Sequence, residues 1–200
     1  MGISKEKMIP LKMDVTLDSS VKDAISNFIS VTGGLDALVN NAGGSARGNS
    51  KPIHEQEIEI IDEVIKLNLR GSIICAQLAA KEMVSQKSGK IVNMASVIGM
   101  RGKKRMSDYA AAKAGIIGFT KALALESADK GITVNAIAPG YVETQMTSVI
   151  SEEIRKKIME TIPMKRFAQP SEIADVVLFL VKQSFITGET ININGGQYMA

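Results

Sequence analysis

The stretch GKIVNMASVIGMRGKKRMSDYAAAKAGIIGFTKALALESADKGITVNAIAPG, residues 89–140, decides the fold. It opens on Ile91-Val92-Asn93-Met94-Ala95-Ser96, a short apolar run that alternates poorly, as a strand covered on both faces does. The basic segment Arg101-Gly102-Lys103-Lys104-Arg105 reads as part of a flexible loop reaching Ser107. Residues 109–130 are alanine-rich and read as one long helix. Gly131 stops that helix, Ile132-Thr133-Val134-Asn135-Ala136-Ile137 forms the next strand, and Pro139-Gly140 ends it sharply. Strand, helix and strand in this succession make a parallel crossover unit.

The same alternation continues outward in both directions. Residues 8–15 are short and apolar and read as a strand with a turn after Asp14. Val21, Ala24, Ile25, Phe28 and Ile29 recur at helical spacing, with Asp18, Ser19 or Ser20 as cap and Gly33-Gly34 as stop. Residues 35–39 form a strand that runs into Asn40-Asn41-Ala42-Gly43-Gly44, where small residues let backbone come close to a neighbour. A polar loop over residues 45–52 precedes a helical pattern over residues 55–86, which contains a break. Residues 151–161 and 170–181 are helical, opened by Ser151 and Pro170, and residues 190–193 form a last strand before Gly195-Gly196. The chain therefore reads as a single α/β domain over residues 1–200. A mostly parallel sheet lies between two helical layers, with no repeat and no linker.

Composition narrows the function. The chain has 200 residues, 45% hydrophobic and 22% charged, with a formal net charge of +3. That is a globular profile with enough length to bury a core. No apolar run is long enough to cross a bilayer and the N-terminal residues carry no signal-peptide core, so the expectation is a cytoplasmic protein with no membrane partner. The opening Met1-Gly2 is a poor myristoylation signal. One cysteine, Cys75, excludes an intrachain disulfide and a cysteine metal cluster, and one histidine, His54, argues against a histidine metal site or a serine triad. No metal is expected. Charges of both signs are interspersed and no aromatic interleaving marks a nucleic-acid reader. The basic cluster at residues 101–105 is either a solvated loop or a patch that attracts an anionic partner or a cofactor phosphate.

In a parallel sheet the ligand crevice lies beyond the carboxyl ends of the strands. Asn40-Asn41-Ala42-Gly43, Ser96 and Pro139-Gly140 all fall there, so three separate segments converge on one rim. Tyr109 and Lys113 are four apart and project from one helix face. A neighbouring ammonium favours the phenolate and lowers the phenol pKa, which suits Tyr109 to move a proton to or from a substrate oxygen. The Ser96 hydroxyl can hydrogen-bond the same oxygen as charge develops on it. Asn68 can hold a water beside Lys113.

With these residues in place the sequence resembles the short-chain dehydrogenase/reductase family. The resemblance is carried by Asn40-Asn41-Ala42-Gly43, Asn68, Ser96, Tyr109-Ala110-Ala111-Ala112-Lys113, and Pro139-Gly140 followed by Thr144. Ile162-Pro163-Met164-Lys165-Arg166-Phe167, Ile186-Thr187-Gly188-Glu189 and Asn194-Gly195-Gly196 continue it to the end of the chain. Residues 116–126 and 131–144 are similar to the 3-oxoacyl-[acyl-carrier-protein] reductase branch. The resemblance implies a Rossmann-like fold and an oxidoreductase that moves hydride between NADP or NAD and a ketone or secondary alcohol. Within that class it favours NADPH-dependent reduction of a 3-oxoacyl thioester, so the substrate is a small molecule or is linked to an acyl carrier.

By the same resemblance Tyr109 is the general acid/base. Lys113 lowers its pKa and holds the nicotinamide ribose, Ser96 orients substrate, and Asn68 completes the proton relay. Asp14 and Val15 flank the adenine. Asn41, Ala42 and Gly43 line the cofactor path, and Pro139, Gly140, Val142 and Thr144 meet the nicotinamide. The resemblance also implies a homo-oligomer, dimer or tetramer, formed through the helices at residues 72–86 and 109–127, and a mobile lid over residues 144–167.

One part of the family pattern is missing. The family opens on a strand-helix-strand unit whose glycine-rich loop seats the cofactor phosphates at a helix start, and nothing in residues 1–12 supplies it. The expectation is thus an N-terminally truncated Rossmann-like sheet. The sequence is part of a longer enzyme, a short isoform with impaired or no cofactor binding, or a rearranged sheet that keeps function. Two functions follow: the oxidoreductase itself, or a non-catalytic paralogue that serves as structural or regulatory partner of full-length subunits.

Overall fold

The computed structural model describes residues 8–45 and 49–199. Met1-Gly2 and residues 46–48 of the polar loop lie outside the described residues. Four strands, β1 (Ala37–Asn40), β2 (Gly89–Met94), β3 (Ile132–Pro139) and β4 (Thr190–Ile193), lie side by side in chain order, and every pairing is parallel. Side chains alternate between the faces along each strand. On one face Ile91, Ile132 and Val134 meet Ala76, Ala79 and Met83 of α3 (Gly71–Gln86) and Ala124 of α5 (Ser107–Ser127). Outside α3, α1 (Asp18–Thr32) packs through Val21 near Cys75. On the other face Val92 and Ile137 meet Ile173 and Leu180 of α8 (Pro170–Lys182). The three-layer α/β reading holds. Among the described residues no helix is long and apolar enough to cross a membrane.

The first two crossovers, through α3 and α5, lie on one face, and the last, through α8, lies on the other. Strand order advances in one direction throughout, so the last crossover has the opposite hand from the first two. This sends the chain after β3 across the α8 face, over the carboxyl ends of the strands.

Residues 8–14 do not form the expected strand but run as irregular chain into a turn. Extended backbone needs a neighbour for its N–H and C=O groups, and the described pairings of the sheet stop at β1. The cap of α1 also differs from expectation. Leu17 stands at the cap, while the Ser20 hydroxyl accepts the Asp14 N–H at 2.9 Å and Asp18 forms a two-pronged pair with Arg70 at 2.6 and 2.8 Å. Residues 97–106 are not wholly a loop, because α4 (Val97–Arg101) fills the first half. The expected break in the long helical pattern is a π-helical turn, Lys66–Arg70, that joins α2 (Ile58–Ile65) to α3 without a stop.

Beneath the strand ends lies a buried polar ladder that sequence reading missed. Asn40 and Asn93 are paired in register across β1 and β2. Asn40 donates to Asn93 Oδ1 at 2.9 Å and to the Ser72 carbonyl at 3.1 Å, and Asn93 donates to Thr120 Oγ1 of α5 at 3.0 Å. Replacing Asn93 with leucine strands two buried groups at once, so Asn93→Leu is expected to lower unfolding stability by about 1–3 kcal/mol. Urea midpoints measure this, and an unchanged midpoint would show the ladder to be dispensable.

Candidate active site

Each candidate residue sits where local structure puts it. Ser96 leaves the end of β2 and caps α4, its hydroxyl accepting the Ile98 N–H at 3.2 Å. Gly99 lets α4 lie directly on α5, since a Cβ there would stand 2.7 Å from the Lys113 carbonyl carbon and 2.8 Å from the Ala114 nitrogen. That close approach sets Ser96 beside the first turns of α5, which carry Tyr109 and Lys113. Asp108 fixes the start of α5 by accepting the Tyr109 N–H at 2.7 Å.

Ser96, Tyr109 and Lys113 line one cavity of about 960 Å³. Asn41 and Gly43 from the loop after β1 share its wall, as do Pro139, Gly140, Val142 and Thr144 after β3. The segment after Thr144 folds over it as α6 (Gln145–Ser148) and α7 (Glu152–Glu160), contributing Met146, Ile150, Ile154 and Ile158. Ser151 caps α7 as expected. Of the residues singled out from sequence, Asp14, Val15, Ala42 and Asn68 do not line the cavity. Asp14 is turned to the Thr16 N–H and hydroxyl at 2.9 and 2.7 Å, and Val15 is buried in the cluster that holds Val21 and Cys75.

Asn68 is fully buried in the π-helical turn. Its amide donates to the Gly44 and Val64 carbonyls, both at 2.8 Å, and its Oδ1 accepts the Gly44 N–H at 3.0 Å. The wider π turn lets an interior amide reach sideways to another segment. Asn68 thus clamps the loop after β1. A Cβ on Gly43 would stand 2.7 Å from Asn68 Oδ1 and 3.2 Å from Lys113 Nζ, so glycine there permits the close packing of loop, amide and ammonium.

The electrostatics depart from the simple Tyr–Lys expectation. Burial pushes the Tyr109 phenol above its ordinary value, and a hydrogen bond with Ser96 pulls it part way back. Lys113 Nζ donates to the Met94 carbonyl at 2.8 Å and lies 5.7 Å from the Tyr109 ring centroid. Burial lowers Lys113 itself from 10.5 to about 8.

A lowered lysine binds fewer protons folded than unfolded between about pH 8 and 10.5, so its contribution to stability rises with pH across that window. Between pH 7 and 9.5 the wild type is expected to gain on the order of 1–2 kcal/mol relative to Lys113→Met. Urea midpoints of both proteins at the two pH values test this, and parallel changes would contradict it.

Lys103 and Tyr141 also line the cavity and were not singled out for it from sequence. Lys103 lay inside the noted basic cluster, and Tyr141 stands two residues past Pro139. Burial pushes the Cys75 thiol up, as suits a small core residue.

The sequence model of a family described as Enoyl-(Acyl carrier protein) reductase matches residues 3–197. The chain is 42% identical over 190 residues to a 3-oxoacyl-[acyl-carrier-protein] reductase, FabG, of Aquifex aeolicus, spanning 94% of this chain and 75% of that protein. It belongs to the short-chain dehydrogenase/reductase family. FabG of Staphylococcus aureus is 43% identical, covering 94% of this chain and 76% of its own. FabG of Thermotoga maritima is 39% identical, covering 95% and 77%. Membership in the short-chain dehydrogenase/reductase family makes the protein an NAD(P)-dependent oxidoreductase. Its cavity lies where an open parallel sheet places ligands, outside the carboxyl ends of the strands.

Proposed function

We propose that the protein reduces the ketone of a 3-oxoacyl thioester to the 3-hydroxyacyl thioester, with NADPH as reductant. The reading rests on one observation: the Ser96 and Tyr109 hydroxyls and the Lys113 ammonium share one wall of a cavity that the lid and α8 line largely with aliphatic side chains. An acyl chain fits the aliphatic walls and a polarised carbonyl fits the hydroxyls.

A nicotinamide held between the loops after β1 and β3 would supply the hydride. Tyr109 donates its phenolic proton to the carbonyl oxygen as negative charge develops there. A phenol is protonated at neutral pH and burial moves Tyr109 further that way, so the proton to be donated is in place. Ser96 donates a hydrogen bond to the same oxygen. Lys113 would hold ribose hydroxyls, and Asn68, through its grip on Gly44, fixes the loop on that side of the cavity. Asn41 and Gly43 would form one side of the cofactor path, with Ala42 between them behind the lining, and Pro139, Gly140, Val142 and Thr144 the other. Glycine at position 43 suits a ligand at this end, because a Cβ there would fill the approach to Asn68 and Lys113. Asp14, exposed outside the cavity, and Val15 would flank an adenine. Homo-oligomer formation through α3 and α5 draws support from Val84 and Leu125, 40% and 84% exposed on those helices. A cytoplasmic location suits this substrate.

The test is oxidation of NADPH by the purified chain with a 3-oxoacyl thioester, run beside NADH and beside a 2-enoyl thioester. Turnover of the enoyl substrate alone would overturn the ketone assignment.

A further inference from the structure

The cavity wall carries two cations, Lys103 and Lys113, and no carboxylate among the described residues. Lys113 is committed to the site just described. Lys103 sits in the turn between α4 and α5, and among the described residues it forms no ion pair. Asp108, the carboxylate nearest to Lys103 in sequence, and Glu143, two residues past Tyr141, are both engaged elsewhere. Asp108 accepts from the Tyr109 N–H and from Gln56, and Glu143 pairs with Arg155. The rest of the basic cluster does not reach the cavity, and Arg105 is tied to the Ser50 carbonyl at 3.0 Å.

Lys103 is also held in place. Its Nζ donates to the Tyr141 hydroxyl at 2.7 Å. The Tyr141 ring stacks on Phe167 with centroids 5.1 Å apart, and Phe167 is 1% exposed, with the Arg155 guanidinium 4.4 Å over its ring centroid. Because the tyrosine oxygen accepts from lysine, its own proton is free for another acceptor. Two donors, an ammonium with hydrogens to spare and a phenol, are therefore fixed at one point of an otherwise largely aliphatic wall. That combination suits an anionic oxygen group at the end of, or attached to, an acyl thioester.

We propose that Lys103, set by Tyr141, is a specificity-determining residue that takes an anionic oxygen group of the substrate, phosphate or carboxylate. The cavity then selects charged 3-oxoacyl thioesters over neutral ones. This rests on the thioester reading above and adds the charge of the substrate to it.

Equilibrium binding to the full chain, without turnover, tests it with three probes. Acetoacetyl-coenzyme A carries phosphates, the N-acetylcysteamine thioester of acetoacetate is neutral, and the N-acetylcysteamine monothioester of 3-oxoadipate carries a carboxylate without phosphate. At least one charged probe is expected to bind about tenfold or more tightly than the neutral one. Which of the two does so identifies the anion. Lys103→Met is expected to remove that preference and to change neutral-probe affinity less than twofold, while Lys103→Arg keeps it within about threefold. Lys103 is exposed, so folding is preserved, and circular dichroism verifies this. Binding of all three probes without charge preference, or a preference that survives Lys103→Met, overturns this proposal alone. Binding of none of them overturns the thioester reading with it.

Discussion

Tyr109→Phe lowers kcat for ketone reduction by about 10²–10⁴ and leaves substrate and cofactor affinity within a few-fold of wild type. The size follows from the chemistry. Phenylalanine keeps the ring that lies under Lys113 Nζ at 5.7 Å, so packing is preserved. What is lost is the phenolic proton beside Ser96 in the cavity wall, and an alkoxide left without a proton returns hydride to its source. Ser96 keeps its hydrogen-bonding capacity, which limits the loss to this range rather than to the uncatalysed rate. The structural cost is small, since no described backbone group depends on the Tyr109 hydroxyl. Steady-state kinetics with a 3-oxoacyl thioester, beside ligand titration of the same variant, separates the two parameters. Undiminished turnover by Tyr109→Phe would remove Tyr109 from the reaction.

The second large effect is expected at Gly99, which touches neither ligand nor solvent chemistry. A methyl group there meets backbone rather than flexible side chain: Lys113 C at 2.7 Å, Ala114 N at 2.8 Å and Lys113 O at 2.9 Å. Helix α4 has five residues and must move off α5 as a unit, carrying its cap Ser96 with it. Overpacking of this kind costs about 1–3 kcal/mol. The shift also separates Ser96 from Tyr109, and misplacement on the scale of an ångström costs roughly 10²-fold in rate. Gly99→Ala should therefore lower both the unfolding midpoint and kcat. Gly118→Ala in α5 is the control, because nothing lies within 4 Å of a Cβ there. Alanine in a helix interior favours folding by about 0.5–1 kcal/mol over glycine. If Gly99→Ala behaves like Gly118→Ala in both measurements, the close contact of α4 and α5 does not position Ser96.

Much of this site is legible in sequence because its signals are local. Tyr109 and Lys113 share a helix face by spacing alone, and Ser96 and Pro139-Gly140 fall at strand ends by position alone. The strands at β2, β3 and β4, the cap of α7, the proline start of α8, and the parallel succession all follow from periodicity and punctuation read over a few residues. The π turn around Asn68 showed only as a break, since its hydrogen bonds go to Gly44, 24 residues away. Residues 8–14 carry strand-like composition, yet a strand is a property of two segments, and composition cannot supply a neighbour.

Spacing sets the Tyr109/Lys113 pair on one helix face, and tertiary structure changes its physics. Spacing places an ammonium near a phenol and predicts a lowered phenol pKa. Burial, which spacing does not encode, raises the phenol and lowers the lysine instead. The sequence alone determined which elements form, in what order, and which side chains stand at strand ends, because those depend on neighbours along the chain. Only the tertiary structure decided the opposite hand of the last crossover, the clamp of Asn68 on Gly44, the Asn40–Asn93–Thr120 ladder and the meeting of Lys103 with Tyr141. Each of these joins residues far apart in sequence, and packing and desolvation act on distance in space.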